Sequence, residues 1–245
     1  MATVIKILVK FIIPLLIAIL FSSCNFDINI SGVKGNGNVI TQKRLSDVKF
    51  TKIDASEGLD VYLTKSISTA VNVQADENIQ DLIITEVKNG TLYIHTSSSL
   101  GKVHAKKVLV NFTMLNEVNS SSGAEIHTTN FIISDTIEVN ASSGSDQDIA
   151  IKATNIKCSA SSGAEINLSG NTTNIMANAS SGAEINAKQL VSEICDSNAS
   201  SGAEIDLNCN KTITAEASSS ADISYSGNPN NVTVSESSSA KITKK

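Results

Sequence analysis

One hexapeptide returns through the second half of the chain and leaves very few folds open to it. Ser121-Ser122-Gly123-Ala124-Glu125-Ile126 recurs at 161–166, 180–185 and 200–205, with degenerate copies at 142–146, 218–223 and 237–242. Its third position falls at 123, 144, 163, 182, 202, 220 and 239, so the steps are 21, 19, 19, 20, 18 and 19 residues. Seven copies at one period mark a solenoid, because a unit this short cannot shelter its own apolar side chains and must stack on its neighbours.

The residues around each copy alternate. Ile137, Ile156, Ile175, Cys195, Ile213 and Val232 stand seven places before the third position, and Val139, Cys158, Ala177, Ser197, Ala215 and Val234 stand five before it. Ala141, Ala160, Ala179, Ala199 and Ala217 come three before it, and Ile126, Ile166, Ile185, Ile205, Ile223 and Ile242 three after. Polar residues fill the places between. This is the period of a strand with one buried face, and no helical period fits it. About 19 residues at roughly 3.3 Å each trace a perimeter near ~60 Å, enough for one coil of a parallel β-helix. Left-handed coils are built from three strict hexapeptides. One hexapeptide per coil, with a drifting step, favours a right-handed parallel β-helix. Each buried Ile contributes about 1.5–3 kcal/mol, and the Gly with its Ser neighbour turns the corner between faces.

Residues 36–115 read as a less regular β cap ahead of the repeat region, 116–245. Ile53-Asp54-Ala55-Ser56-Glu57-Gly58-Leu59-Asp60-Val61 echoes the repeat, with Gly58 at the corner. Further strands are expected at Ala70–Val73, Leu82–Val87, Thr91–His95 and Val108–Phe112, with a polar segment at 76–81. Asn89-Gly90 signals a hairpin. Such a cap protects the exposed edge of the first coil. At the far end, Lys241, Lys244 and Lys245 place charge on the last edge.

The stretch Ala75 to Ile83 leading into Glu86 to Ile94, the repeated Ser-Ser-Gly-Ala-Glu-Ile, and the ending Asp222 to Pro229 together resemble the family described as putative auto-transporter adhesin, head GIN domain, found among Bacteroidota lipoproteins. The resemblance covers residues 36–245 as one domain. It implies an exported β-helical domain with an adhesin role and no established catalytic residues. The chain departs from the family pattern where Ser or Ala replaces Gly in the repeat, and where the last copy carries Lys241 in place of an acid.

Export is written at the N-terminus. Lys6 and Lys10 precede the apolar run Phe11–Phe21 and then Ser22-Ser23-Cys24. This is the order of a secretory signal, and the run is too short for a bilayer span of about 20 residues. Cys after two small residues makes 1–23 a lipoprotein signal peptide and Cys24 the lipidated first residue of the mature chain, followed by a tether, 24–35. Acyl chains attach a protein with about 0.8 kcal/mol per buried methylene. The expected location is the outer membrane, on its periplasmic side or at the cell surface. Losing Lys6 and Lys10 takes the net charge from -5 to about -7, which disfavours nucleic acid as a partner.

Chemistry-bearing residues are few. Asp60, Glu125, Asp146, Glu165, Glu184, Glu204 and Asp222 share one outward position and form a carboxylate ladder. Unit charges about 5 Å apart repel by roughly 0.8 kcal/mol in water, which a wet surface tolerates. Carboxylate oxygens are also what Ca²⁺ prefers, but the Asp/Asn-Gly loops of a dedicated site are missing, so no metal and no cofactor is expected. Asn167 and Asn186, with Asp206 and Ser224, read as an amide ladder supporting the stack, with glycan hydrogen bonding as the alternative. Cys158 and Cys195 replace aliphatic residues in inward columns two coils apart, beyond disulfide reach, and the pairing of Cys209 is open. His95, His104 and His127 are scattered. Lys102 to Lys107 forms the one basic cluster and reads as a solvated loop.

No catalytic residue emerges. The expected function is that of a non-enzymatic, lipid-anchored envelope protein whose β-helical surface mediates adhesion, with a glycan or a protein as candidate partner. Alternatives are a polysaccharide-binding or polysaccharide-degrading β-helix, or a purely structural envelope component. Arg44 is the only Arg and aromatics make up 4%, which speaks against an acidic-polysaccharide enzyme. Fold alone transfers no activity.

Overall fold

Each Ser-Ser-Gly-Ala segment is a tight corner. In the computed structural model, which describes residues 32–245, the Ala124 N–H donates to the Ser121 carbonyl at 3.1 Å. The two central residues have positive φ, 51° at Ser122 and 73° at Gly123, the geometry of a type I′ turn. The same pair of left-handed residues recurs at every copy, ending with Ser238 and Ser239 at 52° and 64°. A side chain in this region costs about 1–2 kcal/mol. Hydrogen bonds between corners offset it. Gly123, Gly144, Gly163, Gly182 and Gly202 each donate their N–H to the left-handed Ser carbonyl of the next corner at 3.0–3.2 Å.

The strands in chain order are β1 (Val39–Ser46), β2 (Lys52–Ala55), β3 (Asp60–Lys65), β4 (Ala70–Asp76), β5 (Ile83–Lys88) and β6 (Thr91–Thr96). Then follow β7 (Lys106–Phe112), β8 (Glu117–Ser120), β9 (Glu125–Thr128), β10 (Ile132–Ala141), β11 (Asp146–Ala160) and β12 (Glu165–Ala179). The last are β13 (Glu184–Ala199), β14 (Glu204–Ala217), β15 (Asp222–Ser226), β16 (Asn231–Glu236) and β17 (Lys241–Lys244). They build an all-β solenoid of about seven turns with coils of roughly 19 residues. The signal peptide 1–23, Cys24 and the tether up to residue 31 lie outside the described residues. The rest of the expected tether runs against the domain, with Val33 N–H on the Ser99 carbonyl and Gly35 N–H on that of Lys102, both at 3.0 Å.

Parallel pairing lays like on like. Ile137, Ile156, Ile175, Cys195 and Ile213 are successive register partners, as are Ile166, Ile185, Ile205 and Ile223, and all are buried. The variable step length is absorbed far from the Ser-Gly corner. Register shifts fall between Asn167 and Ser169, and between Ala187 and Val191 and between Ser192 and Ile194. Single buried Ser and Thr residues, Thr172, Ser192 and Ser197, interrupt the aliphatic pattern, and one patch of three departs from it further. Ser120, Ser145 and Gln147 take inward positions where other coils carry Ala, Ala and Ile. Ser120 Oγ donates to Ser145 Oγ at 2.8 Å, and Gln147 Nε2 donates to Ser120 Oγ at 2.8 Å. Gln147 Oε1 is left buried without a partner.

The cap is built by going out and coming back. β2 lies between β6 and β8, and β3 between β7 and β9, all parallel. The Ile53–Val61 echo is therefore a true corner of the stack, and the later β6 and β7 sit outside it. Antiparallel strands finish this end: β5 pairs with β6, β4 with β7, and β1 with β4. The Asn89-Gly90 hairpin forms with φ of 52° and 78°.

Buried polar groups pin the outer strands. Asp76, fully buried, accepts N–H bonds from Gly37 (2.5 Å), His104 (2.7 Å) and Ala105 (3.0 Å). Burial alone pushes its carboxyl up, but these three donors hold it below the ordinary range. Gln80, in a 3-10 turn at Glu77–Leu82, donates to the carbonyls of Ile40, Val73 and Ala75 and accepts from Arg44. The segment 76–81, polar in sequence, thus supplies two buried polar residues, with Ile79 buried alongside them.

At the other end the inward columns surface. Val232 and Val234 are 47% and 48% exposed, because among the described residues β16 pairs on one side only. Lys241 stands on this edge and continues the column of Asp222.

Candidate functional site

The Ser-Ser-Gly ridge divides two outward surfaces. On the side after the ridge lies the carboxylate ladder, with all seven expected members in register: Asp60 beside Glu125, then Asp146, Glu165, Glu184, Glu204 and Asp222. It is closed by cations. Lys107 is the register partner of Asp60, Lys106 Nζ pairs with Asp60 at 2.7 Å, and Lys241 follows Asp222. The basic segment 102–107 is therefore partly structural, with Lys106 and Lys107 opening β7 and not standing free in a solvated loop. Along the ladder, desolvation and then the neighbouring acids push Asp146 and Glu184 up. Among the described residues no group of three or more His, Cys, Asp or Glu side chains is placed to hold a metal ion.

The adjoining column runs Tyr62, His127, Asp148, Asn167, Asn186, Asp206 and Ser224. It does not form the expected amide ladder. Asn167 Nδ2 turns instead to Glu165 of its own strand, at 2.7 Å. Asp206 is buried beneath Lys188 and Lys245, at 2.6 and 3.0 Å. His127 lies 3.7 Å from Glu125 and 3.8 Å from Asp148, its ring 5.5 Å from that of Tyr62. His104 joins the Asp76 pin at 3.4 Å, and His95 stays at the end of the hairpin strand. No two of the three histidines meet.

On the side before the ridge runs a groove of about 530 Å³. One wall is the outward column Asp54, Asn119, Asn140, Ser159, Asn178, Asn198, in unbroken register. The other is the first serine of each corner, Ser121, Ser142, Ser161, Ser180 and Ser200, with Ala141, Ala160 and Ala179 between them. Asn140 Nδ2 donates to Asn119 Oδ1 at 2.9 Å, which supplies here the amide contact expected of Asn167 and Asn186. Asp54 closes one end, its carboxyl pushed up by burial and by nearby Glu117. Sequence reasoning passed over this column as intervening polar residues. The signal was the recurrence of Asn or Ser two places before each corner.

Cys158 is buried alone and its thiol is pushed up by burial. Cys209 is interior, because it follows Ile205 and Leu207 at every second place of β14. It donates to the Thr212 carbonyl at 3.0 Å. Its thiol meets that of Cys195, and this contact, then burial, pushes Cys195 up.

A family model described as putative auto-transporter adhesin, head GIN domain, matches residues 49–229. A putative adhesin from Bacteroides fragilis superposes with a TM-score of 0.81 at 20% identity, over 87% of this chain and 100% of that one. A putative adhesin from Parabacteroides merdae gives 0.69 at 18% identity, over 87% and 98%. A structure described as a putative lipid binding protein from Parabacteroides distasonis gives 0.71 at 22%, over 87% and 99%. No curated protein matches the chain. At these identities the solved structures establish the solenoid and nothing finer.

Proposed function

Because the chain belongs to the family described as putative auto-transporter adhesin, head GIN domain, we propose that it is a non-enzymatic, lipid-anchored protein of the cell envelope that adheres through the outer faces of its solenoid. An adhesin-like role at the envelope is supported by the family description and by the adhesins among its structural relatives. The single observation that carries the finer reading is the outer surface itself. Two side-chain columns run unbroken through consecutive coils beside one ridge, a surface that offers repeated contacts and no converging acid, base and nucleophile. Lipid anchoring rests on Ser22-Ser23-Cys24 after the apolar run, and among the described residues no helix is long and apolar enough to cross a membrane.

The reading predicts that cells expressing the chain attach to glycan- or matrix-coated surfaces more than cells lacking it, and that Cys24→Ser releases the protein from the membrane fraction. Equal attachment by both cell types ends the adhesive reading. A Cys24→Ser protein that stays in the membrane ends the anchoring one.

A further inference from the structure

The groove and the ladder are separated by one ridge only, and they differ completely in charge. The groove wall holds amides and hydroxyls from Asn119 to Asn198, and its one acid, Asp54, sits at the end. Asn178 and Asn198, and the hydroxyls of Ser161 and Ser180, make no side-chain hydrogen bond with other described residues. Amide and hydroxyl groups both donate and accept, as sugar hydroxyls do. Across the ridge, Asp146, Glu165 and Glu184 repel any polyanion laid in the groove. Between the two walls the floor is strand backbone at Ala141, Ala160 and Ala179, whose side chains are buried in the core. The wall repeats every ~4.8 Å, close to the advance of one sugar along an extended chain, and five steps from Asp54 to Asn198 extend about 24 Å.

From this juxtaposition we infer that the groove is a binding site for an uncharged, unbranched polysaccharide lying along the solenoid axis, one sugar to a coil. The inference rests on the adhesive reading and gives it a ligand class. Hydrogen bonds that are individually weak add along the chain. Affinity therefore rises with the number of sugars and falls little with salt, in contrast to a charged site.

The test uses the full chain, extracted in detergent. Its binding is measured to a linear β-glucan, a linear mannan and a linear galactan, to polygalacturonate as the acidic counterpart, and to fibronectin as a protein. The expected result is saturable binding to at least one neutral chain, stronger for a hexasaccharide than for a disaccharide. In N178D/N198D that binding falls about tenfold, the loss of one to two hydrogen bonds, whereas N155D, on another face, leaves it unchanged. S161A/S180A lowers it in the same direction and serves if the double aspartate variant does not fold. Binding to the neutral chains that neither groove variant alters overturns the groove assignment but keeps the adhesive reading. Binding confined to polygalacturonate or fibronectin overturns the ligand class and again keeps that reading. If nothing binds and expressing cells attach to no surface, both fall.

Discussion

The repeats use one corner, one isoleucine column and one alanine column over and over, whereas β1–β7 build the same cross-section from strands running in both directions. In the repeats, neighbours are interchangeable and the interior is aliphatic and small. In the cap, each strand has a singular partner, the core holds Phe50, Phe112, Leu63 and Leu92, and polar pins such as Asp76 and Gln80 fix the antiparallel edge. The difference is between stability summed over nearest neighbours and stability resting on a few irreplaceable contacts. Even Glu57, standing where the repeats carry the left-handed Ser, reaches across to accept from Thr96 N–H at 2.6 Å and Thr96 Oγ1 at 2.8 Å. The cap has turned a repeat position into a clasp.

The strongest way to break this contrast is a cavity in mid-stack. Ile185→Ala should cost about 2–5 kcal/mol, read by urea unfolding. Hydrogen exchange should show the loss concentrated in β12–β14, with β1–β7 keeping their protection. A uniform loss over both regions would show that the cap and the coils unfold as one unit. Next comes the polar patch within the repeats. Ser120→Ala, Ser145→Ala and Gln147→Ile together restore the aliphatic pattern and remove a buried unpaired carbonyl, so the triple variant should gain about 1–3 kcal/mol. A loss would mean that the Asn140 carbonyl and the Ser142 N–H, now met by Gln147 Nε2 at 2.7 Å and Ser145 Oγ at 3.1 Å, outweigh that relief.

The corners give a finer comparison. Nothing lies within 4 Å of a Cβ added at Gly163, so Gly163→Ser has only its left-handed backbone to oppose it and should cost about 1–2 kcal/mol. Ser220→Gly should gain about as much in the reverse sense. Both are read as shifts in the urea midpoint at constant slope.

Smallest is the effect of acid, and it should have opposite signs in the two regions. Asp146 and Glu184 have folded-state pKa values raised by desolvation and by like charges. The folded coils therefore bind more protons than the unfolded chain as pH falls through the carboxylate range, and they gain stability there. Asp76 is depressed, so its contribution is present above the ordinary carboxylate range and is lost only as pH falls further, through its lowered value. Asp146→Asn or Glu184→Gln should mimic mild acid, each gaining about 0.2–1 kcal/mol by relieving a like-charge pair across strands. Melting curves from neutral to mildly acid pH, with exchange resolved by region, check both signs.

Much of the repeat region was legible because two periods coincide there. Alternation within the coil told inward from outward, and the recurrence of Ser-Ser-Gly aligned the coils. The carboxylate column followed directly. Asn89-Gly90 disclosed the hairpin because a type I′ turn demands residues that tolerate positive φ. β1 was not legible, since its pairing with β4 is antiparallel and its pins are long-range. Nothing local marks Asp76 as buried when 76–81 reads as polar. The groove escaped because its Asn and Ser residues occupy the solvated half of the alternation, where a polar residue carries no signal until a concave wall gathers it. The Cys195–Cys209 contact escaped because it depends on a register shift that the spacing of the corners does not reveal.

The Ser-Gly corner hands its hydrogen bonds to an identical corner one storey up, so the domain can change height by whole storeys. A gene that gained or lost one unit of roughly 19 codons by tandem recombination would encode a tower with the same cross-section, longer or shorter by one landing. A change of half a unit would set a corner against a strand of the next storey. Reach, for a molecule of this build, is a heritable quantity that comes in discrete increments.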